Sequence, residues 1–147
     1  MTTVQEILRN KGKDVVSIDP SESVQAAARL MNERKIGGLV VTAEGSMVGI
    51  VTERDVMRRV VAEPRDSAAT TVAEIMTSSV ATCRSDTPLK ECIGVMTRDR
   101  IRHLPVVDHE GVCGIITQGD ILAFQLTEHE ATIRYLSASS WDVGGEG

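Results

Sequence analysis

Two threonine–aspartate pairs carry the most chemistry in this sequence: Thr52 and Asp55 in Gly49-Ile50-Val51-Thr52-Glu53-Arg54-Asp55, and Thr117 and Asp120 in Gly114-Ile115-Ile116-Thr117-Gln118-Gly119-Asp120. Each stretch is a glycine, a short β-branched run and then Thr-x-x-Asp opening an apolar-periodic segment, the pattern of a strand running into a helix N-terminus. A hydroxyl there lies beside unpaired helix N–H groups, at the end of the helix that carries about half a positive charge, and suits an anion. An aspartate three residues on can accept both hydrogen bonds of a vicinal diol such as a ribose. The same spacing is also an ordinary capping box, worth about 1 kcal/mol of helix stability and needing no ligand. Thr3-x-x-Glu6 and Thr71-x-x-Glu74 repeat it, so spacing alone leaves both readings open. Arg54 distinguishes the first corner: a cation in the first turn opposes the macrodipole by a few tenths of a kcal/mol and makes most sense if an anion joins it. Its counterpart is Gly119, and the Asp55 corner is therefore the expected better phosphate site.

The elements that must position these residues come in two copies. Residues 15–55 lie over 80–120 without a gap and with nine identities: Val15/Val80, Met31/Met96, Ile36/Ile101, Leu39/Leu104, Val41/Val106, Gly49/Gly114, Ile50/Ile115, Thr52/Thr117 and Asp55/Asp120. The helix openers at Thr3 and Thr71 match at an interval of 68 instead of 65, so the first copy carries three more residues around Asn10 to Asp14. In each copy a short capped helix precedes a brief strand (15–18 or 80–83). A helix with apolar residues at 24, 27, 28, 30 and 31, or 89, 92, 93, 95 and 96, comes next. Asp86 or Thr87 is the expected cap of the second of these, with Pro88 in its first turn. A hairpin turning through Glu44-Gly45 or His109-Glu110-Gly111 follows, and a closing helix from Glu53 or Gln118 ends the unit. The expected fold is mixed α+β, a βαββα unit made twice: residues 1–61, a linker at 62–70 holding Glu63-Pro64-Arg65-Asp66-Ser67, residues 71–127, and a helical tail from 128 whose last residues, 144–147, fray. Units this small bury too little alone, so the copies are expected to close on each other and bring both Thr-x-x-Asp corners into a shared cleft.

Composition narrows the function classes. A net charge of −5 argues against a general nucleic-acid binder. No run approaches the roughly 18 apolar residues of a membrane span and the N-terminus has no apolar signal core, which points to the cytoplasm. Cys83, Cys92 and Cys113 form no CxxC, fit a reducing compartment and align with Ile18, Ala27 and Val48, as core residues would. His103, His109 and His129 lack metal-site spacing, and no Walker loop or nucleophile triad is visible, so an enzyme is the least favoured class. The three aromatics, Phe124, Tyr135 and Trp141, gather at the C-terminal end, as for a segment that docks on the body or a partner.

The Gly-h-h-Thr-x-x-Asp close of each unit, the Arg102-His103-Leu104-Pro105-Val106-Val107-Asp108 strand and the tandem arrangement together resemble the CBS-domain family over residues 1–127. That resemblance implies a stand-alone pair, or Bateman module. Such a pair would be non-catalytic and regulatory, would bind an adenine nucleotide (AMP, ADP or ATP, with NAD or S-adenosylmethionine as further candidates) between its repeats, and would associate into homodimers that act on an unidentified protein target. By position it implies one site with Thr52 on phosphate and Asp55 on ribose, and with Ser17, Ile18 and Val40 around the base. The second would use Thr117 and Asp120 with Thr82, Cys83 and Pro105. Arg102 and His103, opposite Gly37 and Gly38 in the other copy, would reach the phosphate held at Asp55. The rival reading is a scaffold that uses the fold only for dimerisation or partner binding, its corners being mere caps.

Overall fold

The computed structural model describes residues 1–12 and 14–144, with side chains described through residue 136. The order of elements is α1 (Val4–Lys11), β1 (Ser17–Ile18), α2 (Val24–Arg34), β2 (Gly38–Ala43), β3 (Ser46–Thr52) and α3 (Glu53–Val56), which continues as a π-helical stretch, Met57–Val61. The second copy supplies α4 (Val72–Ile75), α5 (Leu89–Asp99), β4 (His103–Asp108), β5 (Gly111–Thr117) and α6 (Gln118–Gly144). In the first copy β1 runs parallel to β2, with Ser17 opposite Val40, and β2 pairs antiparallel with β3. The hairpin turns at Glu44 and Gly45, both at positive φ, the geometry that matches strand twist in a two-residue turn.

The second copy departs from the expected pattern at its first strand. Residues 80–83 make one parallel bridge, Cys83 to Val106, beside the two-stranded β4–β5 sheet. The cause is Pro105. In the first copy the amide of Val40 donates to the Val16 carbonyl at 3.1 Å, but Pro105 stands at that place and has no N–H to give. What remains is the Cys83 amide donating to the Pro105 carbonyl at 3.0 Å and the Val107 amide donating to the Cys83 carbonyl at 2.8 Å.

The first helix of each copy packs into the other copy's core. Val4, Ile7 and Leu8 of α1 are buried with Leu89, Cys92, Met96, Leu104, Val106 and Ile116. Val72 and Ile75 of α4 are buried with Val24, Ala27, Met31, Leu39, Val41 and Val51. Backbone bonds fix both exchanges. The amides of Val4 and Gln5 donate to the carbonyls of Thr87 and Ser85, and those of Val72 and Ala73 to the carbonyls of Glu22 and Pro20.

Two caps differ from expectation. Thr3 makes no side-chain cap, and the first amides of α1 donate to carbonyls of the second copy. Neither Asp86 nor Thr87 caps α5. Pro88 holds the cap position, the Leu89 amide donates to Thr2 O at 2.9 Å, and Thr87 Oγ1 accepts from the Arg84 amide. Thr71 and Glu74 do form the plain capping box.

At the C-terminal end α6 continues without a break from its repeat into the tail. Phe124 packs partly buried against the second core, while Tyr135 stays exposed. Of the expected frayed end, 144–147, Gly144 closes α6, and residues 145–147 and the side chain of Trp141 lie outside the described residues. No helix among the described residues is long and apolar enough to cross a membrane.

Candidate functional site

Both Thr-x-x-Asp corners are built by a strand that stops as a helix starts, and both are formed caps. At the first, Thr52 Oγ1 accepts from the Asp55 amide, while Asp55 Oδ2 accepts from the Thr52 amide at 2.9 Å and its hydroxyl at 3.2 Å. Asp55 Oδ1 accepts from Thr77 Oγ1 at 3.3 Å, so this carboxylate is engaged through both oxygens. At the second, Asp120 Oδ2 accepts from the Thr117 amide at 2.8 Å and Thr117 Oγ1 accepts from the Asp120 amide at 3.0 Å. The same Oδ2 takes the ammonium of Lys11 at 2.5 Å.

What distinguishes these corners from an ordinary cap is the space in front of them. Thr117 and Asp120 line a crevice of about 900 Å³, with Val16, Gly37 and Gly38 of the first copy, Ile93, Met96 and Thr97 of α5, and Lys11, Arg34, Lys35 and Arg102 as cations. Thr52 and Asp55 line a smaller one of about 240 Å³ with Thr77, Val80, Ala81 and Ile101, and with Arg54, Arg58, Arg59, Arg100 and Arg102. Small-molecule sites usually enclose roughly 300–1,000 Å³. The Asp120 crevice falls in that range and the Asp55 crevice below it.

The two corners therefore open into adjoining crevices instead of one cleft. Glu53, Arg102 and His103 line both. A β-carbon on Gly37 would stand 3.0 Å from Glu53 Oε1, and one on Gly38 would stand 3.0 Å from Cδ2 and Nε2 of His103. Two glycines in a row thus let these side chains close the partition.

Each corner faces the segment before the first strand of the opposite copy, Val16 for Asp120 and Val80–Ala81 for Asp55. The residues expected around the base at each corner belong to its own copy, whereas these crevices bring in residues of the opposite one. Ser17, Ile18 and Val40 line neither crevice: Ser17 and Val40 are paired in the β1–β2 ladder, and Ile18 and Val40 are buried. Thr82 and Cys83 line a separate hollow of about 430 Å³ against α5, and Pro105 is buried. Arg102 and His103 stand where both crevices meet, a wider position than the Asp55 site alone.

Lys11, Glu53 and Thr77 join the site without having been singled out from sequence. Lys11 had a signal, since it lies in the stretch around Asn10 to Asp14 where the first copy is three residues longer.

Electrostatics follow from the same contacts. Burial, helped by Lys11 and Arg102, holds the His103 imidazole below its ordinary value against the pull of Glu53 and Asp120. The Arg54 guanidinium donates to the Arg100 carbonyl at 2.9 Å, where α5 ends in a left-handed residue. A local acceptor thus already occupies the group on which a phosphate preference at Asp55 rested. Pairing with the Cys92 thiol, together with burial, pushes the Cys83 thiol far above the ordinary range, which suits a core residue and not a nucleophile. Among the described residues no group of three or more His, Cys, Asp or Glu side chains could hold a metal ion.

A family model for the CBS domain matches residues 4–62 and 72–127. The "CBS domain-containing protein CBSX3, mitochondrial" of Arabidopsis thaliana is 31% identical over 146 residues, covering 93% of this chain and 71% of the relative. The crystal structure of the CBS-domain containing protein ATU1752 from Agrobacterium tumefaciens is similar at 35% identity and a TM-score of 0.81, over 84% of this chain and 99% of that one. The CBS domain pair of protein MJ0100, solved in complex with 5′-methylthioadenosine and S-adenosyl-L-methionine, is similar at 29% identity and a TM-score of 0.77, over 87% and 98%. With both repeats matched and the fold of the pair shared, the chain belongs to the CBS-domain family.

Proposed function

We propose that this CBS pair is a non-catalytic regulatory module that binds an adenine nucleotide in the crevice at Thr117 and Asp120. The observation that carries the reading is that crevice itself. It is the larger of the two, it ends on a strand-to-helix corner, and on its walls Lys11, Arg34, Lys35 and Arg102 stand against Asp14, Glu53 and Asp120. The base would lie against Val16, Ile93 and Ile115, and the ribose hydroxyls would meet Asp120. The MJ0100 pair, whose ligands are adenosines, supports the ligand class. Because both copies line the crevice, a ligand that draws its walls together shifts one repeat against the other, and that shift is the signal passed to a protein target. The Asp55 crevice, richer in arginine and smaller, is the secondary site.

Thermal unfolding with AMP, ADP, ATP, NAD and S-adenosylmethionine tests the reading. A ligand at 100 times its dissociation constant adds about 2.7 kcal/mol to stability, and Asp120→Ala is expected to abolish the gain while Asp55→Ala keeps most of it. No gain with any of the five leaves a scaffold.

One observation favours self-association alongside either role. Met57 and Val61 are 55% and 72% exposed, and Leu122 and Leu126, each 65 residues on, are 65% and 55% exposed. Apolar side chains repeated at matching places on both closing helices suit a two-fold interface with a second copy.

A further inference from the structure

We infer that Lys11 makes the Asp120 crevice selective for adenosines that carry a negative charge at the 5′ end. The inference rests on the adenosine reading above and goes on to name the residue that chooses among adenosines. Lys11 is the last residue of α1, followed by Gly12 at φ 95°. It lies in the stretch around Asn10 to Asp14 where the first copy is three residues longer than the second. The longer α1 carries the ammonium across to the other repeat, where Nζ donates to Asp120 Oδ2 at 2.5 Å and to the Ile115 carbonyl at 2.7 Å. The ion pair is partly screened from water, its side chains 27% and 24% exposed.

The carboxylate that would take a ribose diol is thus already neutralised from within the protein. A ligand whose hydroxyls use Asp120 must share it with Lys11 or turn the ammonium aside. An ammonium that yields Asp120 keeps the neutral Ile115 carbonyl but loses its counter-charge, and it gains most from a ligand that brings a new one. A 5′-phosphate supplies one, next to Arg102. A neutral 5′-thioether supplies none, and a sulfonium adds a second cation where one is already displaced. The Asp55 corner has no such device, because its partner from across the molecule is the neutral hydroxyl of Thr77.

Isothermal titration of AMP and of 5′-methylthioadenosine into the full chain and its Lys11→Met variant tests this. Wild type is expected to bind AMP at least about tenfold more tightly than the thioether, the scale of one charge-assisted hydrogen bond. Lys11→Met is expected to bring that ratio near one by weakening AMP and not the thioether, and Lys11→Arg to keep most of it. A ratio unchanged in Lys11→Met, or a thioether lost in parallel with AMP, overturns the selectivity while leaving the adenosine site in place. Wild type that binds neither ligand overturns the adenosine reading and the inference with it.

Discussion

The His103 ring lies where a β-carbon on Gly38 would press, 3.0 Å from Cδ2 and Nε2. His103 also lines both crevices, so that contact sets the thickness of the wall between them. Gly38→Ala is expected to push the ring out of place and to cost about 1–2 kcal/mol, the lower part of the range for overpacking. That corresponds to a melting point lower by several degrees in a chain of this size. Adding His103→Ala is expected to recover most of the loss, and thermal unfolding of the two single variants and the double variant measures the coupling.

Gly49 and Gly114 are the same residue of the repeat but face different neighbours. A β-carbon on Gly49 would meet the Thr77 carbonyl at 2.8 Å, and that backbone is held by the paired bonds between Ile50 and Thr77. One on Gly114 would meet only the tip of the Leu8 side chain, at 3.0 Å. Gly49→Ala is expected to cost about 2–3 kcal/mol and Gly114→Ala about 1 kcal/mol or less, as read from denaturant midpoints. Equal costs would mean that Leu8 is as rigid as the backbone.

His103 gives the protein a pH response of known sign. Its folded-state value lies below the ordinary 6.5, chiefly through burial, with Lys11 and Arg102 adding to the effect and Glu53 and Asp120 opposing it. The unfolded chain therefore takes up a proton first. The contribution is complete above about pH 6.5 and is lost as pH falls below that value. Melting temperatures measured from pH 7.5 to 5.5 are expected to fall more steeply for wild type than for His103→Gln. A bound phosphate beside the ring acts the other way and raises the proton affinity of the imidazole.

Self-association through the closing helices is checked by charge. Leu122→Glu with Met57→Glu places like charges at two matched positions, both already exposed in the single chain. The folded chain is expected to keep its stability within about 0.5 kcal/mol, while sedimentation shows loss of the association proposed above. On α6 the exposed Ile133 and Leu136 lie 7 and 10 residues beyond Leu126, a spacing that carries the same stripe along the helix. Ile133→Glu is expected to weaken association in the same direction. A wild-type chain that stays monomeric at high concentration would remove this interface.

The duplication, the hairpins and the helices could be read from the sequence because each leaves a local trace: period, turn glycines, and apolar spacing. The corner residues Thr52, Asp55, Thr117 and Asp120 were legible for the same reason. What surrounds them was not. Two copies that match element by element suggest that each serves its own corner, and nothing local announces that α1 and α4 change places. Ser17, Ile18 and Val40 enter by position from the family resemblance and have no local signal of their own. Pro105 was the visible sign that the second first strand would shrink, since a proline under a valine of a ladder removes a donor. Lys11 was marked only as a change of interval, whose consequence depends on where a helix end lands in three dimensions.

The trade of α1 for α4 also determines how the molecule can come apart. A fragment cut in the linker at 62–70 would keep one helix with no groove of its own and lack the helix that seals its sheet. Neither half closes a complete interior, so the chain is expected to melt in one step, and the two pieces to recover native structure only when mixed.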